Sequence, residues 1–177
     1  MNFFSKLVAG AVAASSVAFP LDVSANSHWN AHVELAKTIE EAGIDFQLNP
    51  PECNRESNTY GWYYAAGKQL VVCQVNVKHH DWNEVPWTAE DLDTLRHEAH
   101  HLVQDCMDGE LQGRLNTVYE DWDDLAKQEL GYVTIGHILE TYSDLPQLRQ
   151  VMEIEAFAVA EMNDPVEQVS DIRRFCF

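Results

Sequence analysis

Residues 88–106 carry the feature that most restricts how this chain can fold. Their apolar side chains recur mainly at intervals of three and four, which predicts an amphipathic α-helix. The apolar positions are Leu92, Leu95, Ala99, Leu102, Val103 and Cys106. Thr88, followed three residues later by Asp91, predicts a capping box at the start of this helix. A helix of this kind buries its apolar face against other elements of the fold.

The same helix contains His97-Glu98-Ala99-His100-His101, which satisfies the motif H-E-x-x-H. Residues four apart on a helix lie one turn above each other, so the imidazoles of His97 and His101 can bind one metal ion. Glu98 lies beside them, where its carboxylate can take a proton from a water molecule that the metal activates. The two histidines project roughly opposite the apolar stripe, as expected for a pair that lines a cleft. The motif predicts a zinc site with Glu98 as the catalytic residue.

A catalytic zinc site needs a third protein ligand and an open position for water. The last predicted helix offers Glu153 and Glu155, which point about 200° apart and cannot both be ligands. We favour Glu155, because the alanines that follow it permit close approach to another helix. Asp105, one turn beyond the second motif histidine, is a further option. Three ligands from one straight helix rarely reach tetrahedral positions around one metal ion, so Asp105 is the less favourable choice.

The motif and the later glutamate resemble the zincin metallopeptidases, specifically the gluzincin group. The residues that carry the likeness are Leu95-Arg96-His97-Glu98-Ala99-His100-His101 and Glu155-Ala156-Phe157-Ala158. The resemblance implies that His97, His101 and Glu155 bind zinc and that Glu98 is the general base. It also implies a zincin-like fold, in which a strand borders the cleft and the substrate adds as an extra strand. The Leu70–Val75 run is the segment available for that place.

The chain departs from the gluzincin pattern at one supporting position. Many gluzincins carry an aspartate four residues after the ligand glutamate, bonded to a histidine ligand, whereas this chain has Val159 there. The sequence also does not identify the hydrogen-bond donor that would stabilise the oxyanion of the tetrahedral intermediate. His137, Tyr132 and Tyr142 are all chemically able to serve.

The order of the predicted elements gives the fold class. A helix over residues 29–42 is followed by a β-hairpin over residues 60–75 and then by the motif helix. Further helices are expected at Leu115–Glu129, Thr134–Tyr142 and Pro146–Met162. We therefore expect an α+β, zincin-like fold, with a small antiparallel sheet packed on the motif helix and further helices towards the C-terminus.

The N-terminal segment reads as a cleavable signal peptide. Lys6 precedes an apolar run over residues 7–19, and Val23-Ser24-Ala25 provides a small-residue cleavage site. The run is too short for a comfortable membrane span. We expect residues 1–25 to be removed and residues 26–177 to form a single domain. The protein is then secreted or periplasmic, without membrane association after cleavage.

All four cysteines lie in the expected mature chain, where an oxidising compartment favours two disulfides. Their spacing fits no zinc motif of the CxxC type, and three pairings are possible. We favour Cys53–Cys73, which closes a local loop, and Cys106–Cys176, which ties the C-terminus to the core.

The net charge of −18 restricts the partners. Nucleic acids and anionic membrane surfaces are repelled by it at long range, whereas cationic peptides and metal ions are attracted. Our leading hypothesis is an exported zinc metallopeptidase that hydrolyses peptide or protein substrates, among which the negative charge favours basic ones. The alternative is an exported zinc-binding protein without turnover, in which the metal has a structural or interaction role.

Overall fold

The computed structural model describes residues 26–53, 59–75, 77, 85–109, 111, 113–162 and 164–177. The signal peptide expected at residues 1–25 lies outside the described residues. Within them the chain is α+β, with six helices and one sheet of three strands. The elements are α1 (Asn26–Glu41), β1 (Asp45–Leu48), β2 (Gly61–Tyr64), β3 (Gln69–Val72), α2 (Ala89–Asp105), α3 (Trp122–Glu129), α4 (Gly131–Thr141), α5 (Gln147–Met162) and α6 (Pro165–Cys176).

The sheet has the strand order β1-β3-β2, so β3 lies in the middle. β2 and β3 are antiparallel, with Trp62 opposite Val71, as the predicted hairpin requires. β1 pairs with β3 in parallel, with Phe46 opposite Leu70, so the sheet is mixed rather than purely antiparallel. β1 was not predicted, although Ile44-Asp45-Phe46-Gln47-Leu48 alternates apolar and polar side chains, which is a local signal for a half-buried strand.

The helix predictions need two corrections. The helix expected from residue 115 begins at Trp122, because the backbone N–H groups of residues 114, 116, 118 and 119 bond to partners outside that segment. α6 was not predicted, although its start carries a recognisable signal. Asp164 caps that helix by accepting a hydrogen bond of 2.9 Å from the N–H of Val166, and Pro165 occupies its first turn.

The capping box predicted for the motif helix is confirmed. The hydroxyl of Thr88 accepts from the N–H of Asp91 at 3.2 Å, and the Asp91 carboxylate accepts from the N–H of Thr88 at 2.7 Å. The second oxygen of that carboxylate accepts from the N–H of Val75 at 2.8 Å. One aspartate thus fixes both the start of α2 and the chain that leaves β3.

Two clusters of buried apolar side chains lie on either side of the motif helix. The main core packs α1, the sheet, α2 and α6 together, and the smaller cluster packs α3 and α4 on α5. The main core includes Leu35, Ile39, Leu70, Val72, Leu95, Leu102 and Ile172, and the smaller cluster includes Ala126, Ile138, Ile154 and Ala158. α5 packs along α2, so the two clusters meet where these helices touch.

Both disulfides form with the favoured pairing, Cys53–Cys73 and Cys106–Cys176. The second bridge joins the end of α2 to the end of α6 and lies against the main core. Disulfides of this kind persist in oxidising compartments. Among the described residues, no helix is both long enough and apolar enough to cross a membrane.

Removal of the long-range bridge by Cys106→Ala with Cys176→Ala is expected to lower the free energy of unfolding by about 4 kcal/mol in the chain-entropy model. This bridge spans 70 residues, whereas Cys53–Cys73 spans 20, and a longer loop frees more entropy in the unfolded chain. The matched variant of the short loop should lose about 3 kcal/mol. Urea unfolding of both variants measures the difference, and a larger loss for the short loop would contradict the loop-length argument.

Candidate metal centre

The motif histidines lie between α2 and α5. His97 and His101 are on the face of α2 that α5 covers, so both rings are almost fully buried. The ring of Phe157, from α5, packs on His97 with a centroid distance of 4.3 Å. The sequence places this pair away from the apolar stripe, and the structure adds that α5 closes over them.

Three ligand atoms converge at this point. The Nε2 atoms of His97 and His101 are 3.2 Å apart, and the Oε2 atom of Glu153 lies 3.3 Å from the first and 3.5 Å from the second. Tetrahedral ligands bound to zinc at about 2.0–2.1 Å are separated from one another by about 3.3–3.4 Å. The triangle formed by these three atoms therefore has the dimensions of one face of a zinc coordination tetrahedron.

Glu153, and not Glu155, reaches the motif histidines. The Oε1 atom of Glu155 accepts hydrogen bonds from the N–H groups of Val118 at 2.8 Å and Tyr119 at 3.1 Å, and it lies 3.2 Å from Nε2 of His100. The Glu155 side chain is 0% exposed, whereas that of Glu153 is 16% exposed. The ligand position expected for Glu155 is thus corrected to Glu153, because the face of α5 that carries Glu155 anchors the 113–119 segment instead.

Asp105, the other candidate for the third ligand, also bonds to groups outside the triangle. Its carboxylate accepts from the hydroxyl of Tyr63 at 2.8 Å and from the N–H of Arg114 at 2.9 Å. It therefore links β2 and the 113–119 segment to the end of α2.

Glu98 lies beside the triangle. One of its oxygens and the ligand nitrogens of His97 and His101 all lie within 4.8 Å of one another, and the side chain is buried. Burial raises the pKa of Glu98 to about 7, with the charge of His101 opposing this shift and that of Glu153 adding to it. A hydrogen bond from the backbone of Tyr63 favours the ionised form. A carboxylate with a pKa near neutrality is suited to general-base chemistry.

Burial, hydrogen bonds and charges within the triangle shift the pKa of each of its three members. Burial lowers the pKa of His97 to about 4. Burial alone would also lower that of His101, but the hydrogen bond and charge of Glu153, with smaller contributions from Glu98 and Gln104, raise it to about 9. Burial would raise the pKa of Glu153, yet the two histidines hold it well below its usual range. A divalent cation would therefore displace a proton from His101 on binding.

Tyr142 is the sequence-predicted oxyanion candidate that the structure brings to the centre. It follows α4, and its hydroxyl hydrogen-bonds Glu153. Burial raises the pKa of the hydroxyl, and the charges of Glu153 and Glu98 raise it further, so it stays protonated. Tyr132 is 77% exposed and His137 is exposed on α4, away from the buried pair.

The strand that borders the centre is β2. The strand part of the Leu70–Val75 run, residues 70–72, lies in the central strand β3, which has β1 and β2 on its two sides and therefore no free edge for a substrate. The N–H of Cys73 donates to the carbonyl oxygen of Tyr60 at 2.7 Å. In an antiparallel pair, every second residue of a strand bonds to its neighbour, so the N–H and C=O groups of Gly61 and Tyr63 point away from β3. A Cβ atom at Gly61 would lie 2.6 Å from Thr94 and 3.2 Å from Glu98, so glycine lets this edge approach α2.

The comparisons with known proteins identify a family without a known activity. Residues 19–177 match the model of a family described as a domain of unknown function, DUF8637. No curated protein and no solved structure matches the chain. Since the matched span covers most of its length, the chain belongs to the DUF8637 family.

Proposed function

We propose that this protein is an exported, zincin-like metallopeptidase whose zinc ion is bound by His97, His101 and Glu153. The observation that carries the proposal is the triangle of two imidazole nitrogens and one carboxylate oxygen, with sides of 3.2, 3.3 and 3.5 Å. Glu98 beside the triangle distinguishes a catalytic arrangement from a purely structural one, because it is a buried carboxylate left free to exchange a proton.

The donor set fits a catalytic zinc site. Two histidines and one glutamate are the protein ligands of one well-known class of catalytic zinc, and they leave the fourth position open. A bound zinc ion would supply Lewis-acid activation of water and of the substrate carbonyl. The partial exposure of Glu153 provides the opening to solvent that such a site needs.

Glu98 and Tyr142 have separate roles in the proposed reaction. Glu98 accepts the proton of the attacking water and delivers it to the leaving amine, as its pKa near 7 permits. Tyr142 keeps its proton, and its single O–H orients Glu153. To stabilise the developing oxyanion, this hydroxyl would have to transfer its one hydrogen bond from Glu153 to the substrate oxygen.

The substrate class follows from the edge of β2 and from the charge. The outward backbone groups of Gly61 and the outward carbonyl of Tyr63 can pair with an extended peptide. The N–H of Tyr63 already donates to Glu98, so such a peptide would lie beside that carboxylate. The net charge of −18 favours a basic peptide over an acidic one. The two disulfides accord with a secreted or periplasmic location, which the expected signal peptide would provide.

Metal removal tests the proposed activity. The disulfide-intact protein should cleave a disordered lysine-rich polypeptide, lose this activity after dialysis against a zinc chelator, and recover it when zinc is returned. A disordered glutamate-rich polypeptide serves as the matched substrate and should be cleaved more slowly. Mass spectrometry of the fragments is the measurement, and cleavage that survives complete chelation would contradict a zinc-dependent mechanism.

A further inference from the structure

Gln104 bridges the two helices that carry the proposed ligands. Its side chain is fully buried between α2 and α5, and its Oε1 atom lies 2.7 Å from Nδ1 of His101. Its Nε2 atom donates to the carbonyl oxygen of Met152 at 3.1 Å and, more weakly, to Glu155 at 3.5 Å. Met152 directly precedes Glu153 on α5.

These contacts fix the orientation of the amide. A carbonyl oxygen and a carboxylate can only accept, so the NH₂ group of Gln104 has to face Met152 and Glu155. The amide oxygen is then left to face His101, and it accepts a hydrogen bond from the Nδ1–H of that ring. Since Nδ1 faces the amide oxygen and keeps its proton, Nε2 is the nitrogen directed at His97 and Glu153, and it is the atom that gives up its proton when a cation binds.

His101 differs from His97 in this respect. The Nδ1 atom of His97 is buried and has no hydrogen-bond partner among the described residues. Many gluzincins supply an aspartate to a histidine ligand from four residues after the ligand glutamate; counted from Glu153, that residue is Phe157, whose apolar ring packs on His97 with a centroid distance of 4.3 Å. Among the described residues, a polar side chain therefore bonds to Nδ1 of His101 and fixes the orientation of that ring, whereas Nδ1 of His97 has no such partner.

We propose that Gln104 is the positioning residue of the metal centre. It holds His101 in the tautomer that presents Nε2, and the same amide anchors the backbone beside Glu153. One side chain therefore sets the separation between ligands on different helices. This inference rests on the proposed zinc site, and it adds a determinant of metal affinity that lies outside the three ligands and Glu98.

Two substitutions separate the tautomer role from simple packing. Gln104→Met is close in size but removes the acceptor, and it should weaken zinc binding by about 10–100-fold. Gln104→Glu keeps an oxygen for His101 Nδ1–H but loses the donor to Met152, so its zinc affinity should stay closer to that of the wild type. Gln168→Met is the control, because Gln168 is a buried glutamine that bonds the Arg96 carbonyl at 2.8 Å and contacts no proposed ligand side chain.

The measurement is the zinc dissociation constant by chelator competition, alongside urea unfolding of each metal-free variant. A wild-type affinity in Gln104→Met would overturn the inference while leaving the zinc site in place. Equal weakening in both Gln104 variants, in step with lost stability, would assign the residue a packing role only. A wild type that binds no zinc would overturn the site itself. If Gln104→Met does not fold, the test depends on Gln104→Glu: a 100-fold loss of zinc affinity in that variant, when folded, would contradict the inference.

Discussion

Glu153→Gln is expected to lower zinc affinity by at least about 100-fold, beyond the loss usually caused by removing a residue that only supports a ligand. Glu153 Oε2 lies 3.3 and 3.5 Å from the two histidine nitrogens, so the substitution removes the charged member of a three-ligand set. It also leaves two imidazoles to hold a cation alone. Chelator competition measures the effect on purified, disulfide-intact protein.

Glu155→Gln is the matched control, because it makes the same chemical change two residues along the same helix. It should keep zinc near the wild-type level, since the Glu155 carboxylate contacts His100 and the 113–119 segment. It should lower the free energy of unfolding by about 1–3 kcal/mol, because the substitution weakens hydrogen bonds to a buried carboxylate. The reverse result, with zinc lost only in Glu155→Gln although that variant is folded, would restore the ligand first expected from the sequence.

Glu98→Gln is expected to reduce kcat for peptide hydrolysis by about 10²–10⁴-fold while zinc stays bound. The amide cannot accept the proton of the attacking water, yet it has nearly the same shape as the carboxylate that it replaces. Glu98 is not one of the three atoms of the triangle, so metal affinity should change little. Parallel assays of zinc content and hydrolysis rate measure the two effects on the same sample.

Glu90→Gln provides the control for this substitution, because Glu90 is an exposed glutamate in the first turn of the same helix. It should leave both zinc and hydrolysis unchanged. Undiminished hydrolysis in Glu98→Gln would remove Glu98 from the mechanism. A wild type that binds zinc tightly but cleaves none of the polypeptides would favour the alternative, a zinc-binding protein without turnover.

Local signals in the sequence were sufficient for the motif helix and for the β2–β3 hairpin. The capping box at Thr88 and Asp91 depends on residues three apart, and the structure forms it as predicted. The β2–β3 hairpin likewise depends on neighbours in the chain. The alternation over residues 44–48 would have indicated the strand β1, but its parallel pairing with β3 joins residues 24 apart and has no local signal.

To choose between Glu153 and Glu155, one has to know which face of α5 is turned towards α2. The spacing of residues along the sequence does not give this rotation. A signal was nevertheless present. Glu155 shares a helix face with Met152, Ala156 and Val159, all of which are buried, so the apolar pattern directs Glu155 into the core. Glu153 lies at the border of that face, where a ligand can remain open to solvent. Small neighbours indicate close packing, but they do not indicate which element is approached.

Residues 115–119 of the 113–119 segment were predicted as helix, because the tertiary partners of this segment cannot be read from its own sequence. Its N–H groups donate to the Asp105 and Glu155 carboxylates and to the Gln104 carbonyl, on helices before and after it in the chain. Buried acceptors of this kind outweigh a local helical preference. The same contacts explain why both carboxylates are buried without being ligands.

The most direct measurement is the zinc content per chain of the disulfide-intact protein over residues 26–177, compared with that of His97→Ala. The proposed centre predicts one zinc ion per chain in the wild type and its loss in the variant, because one corner of the triangle is removed. No zinc in the wild type after zinc is supplied, or equal zinc in the two proteins, would contradict the centre formed by His97, His101 and Glu153.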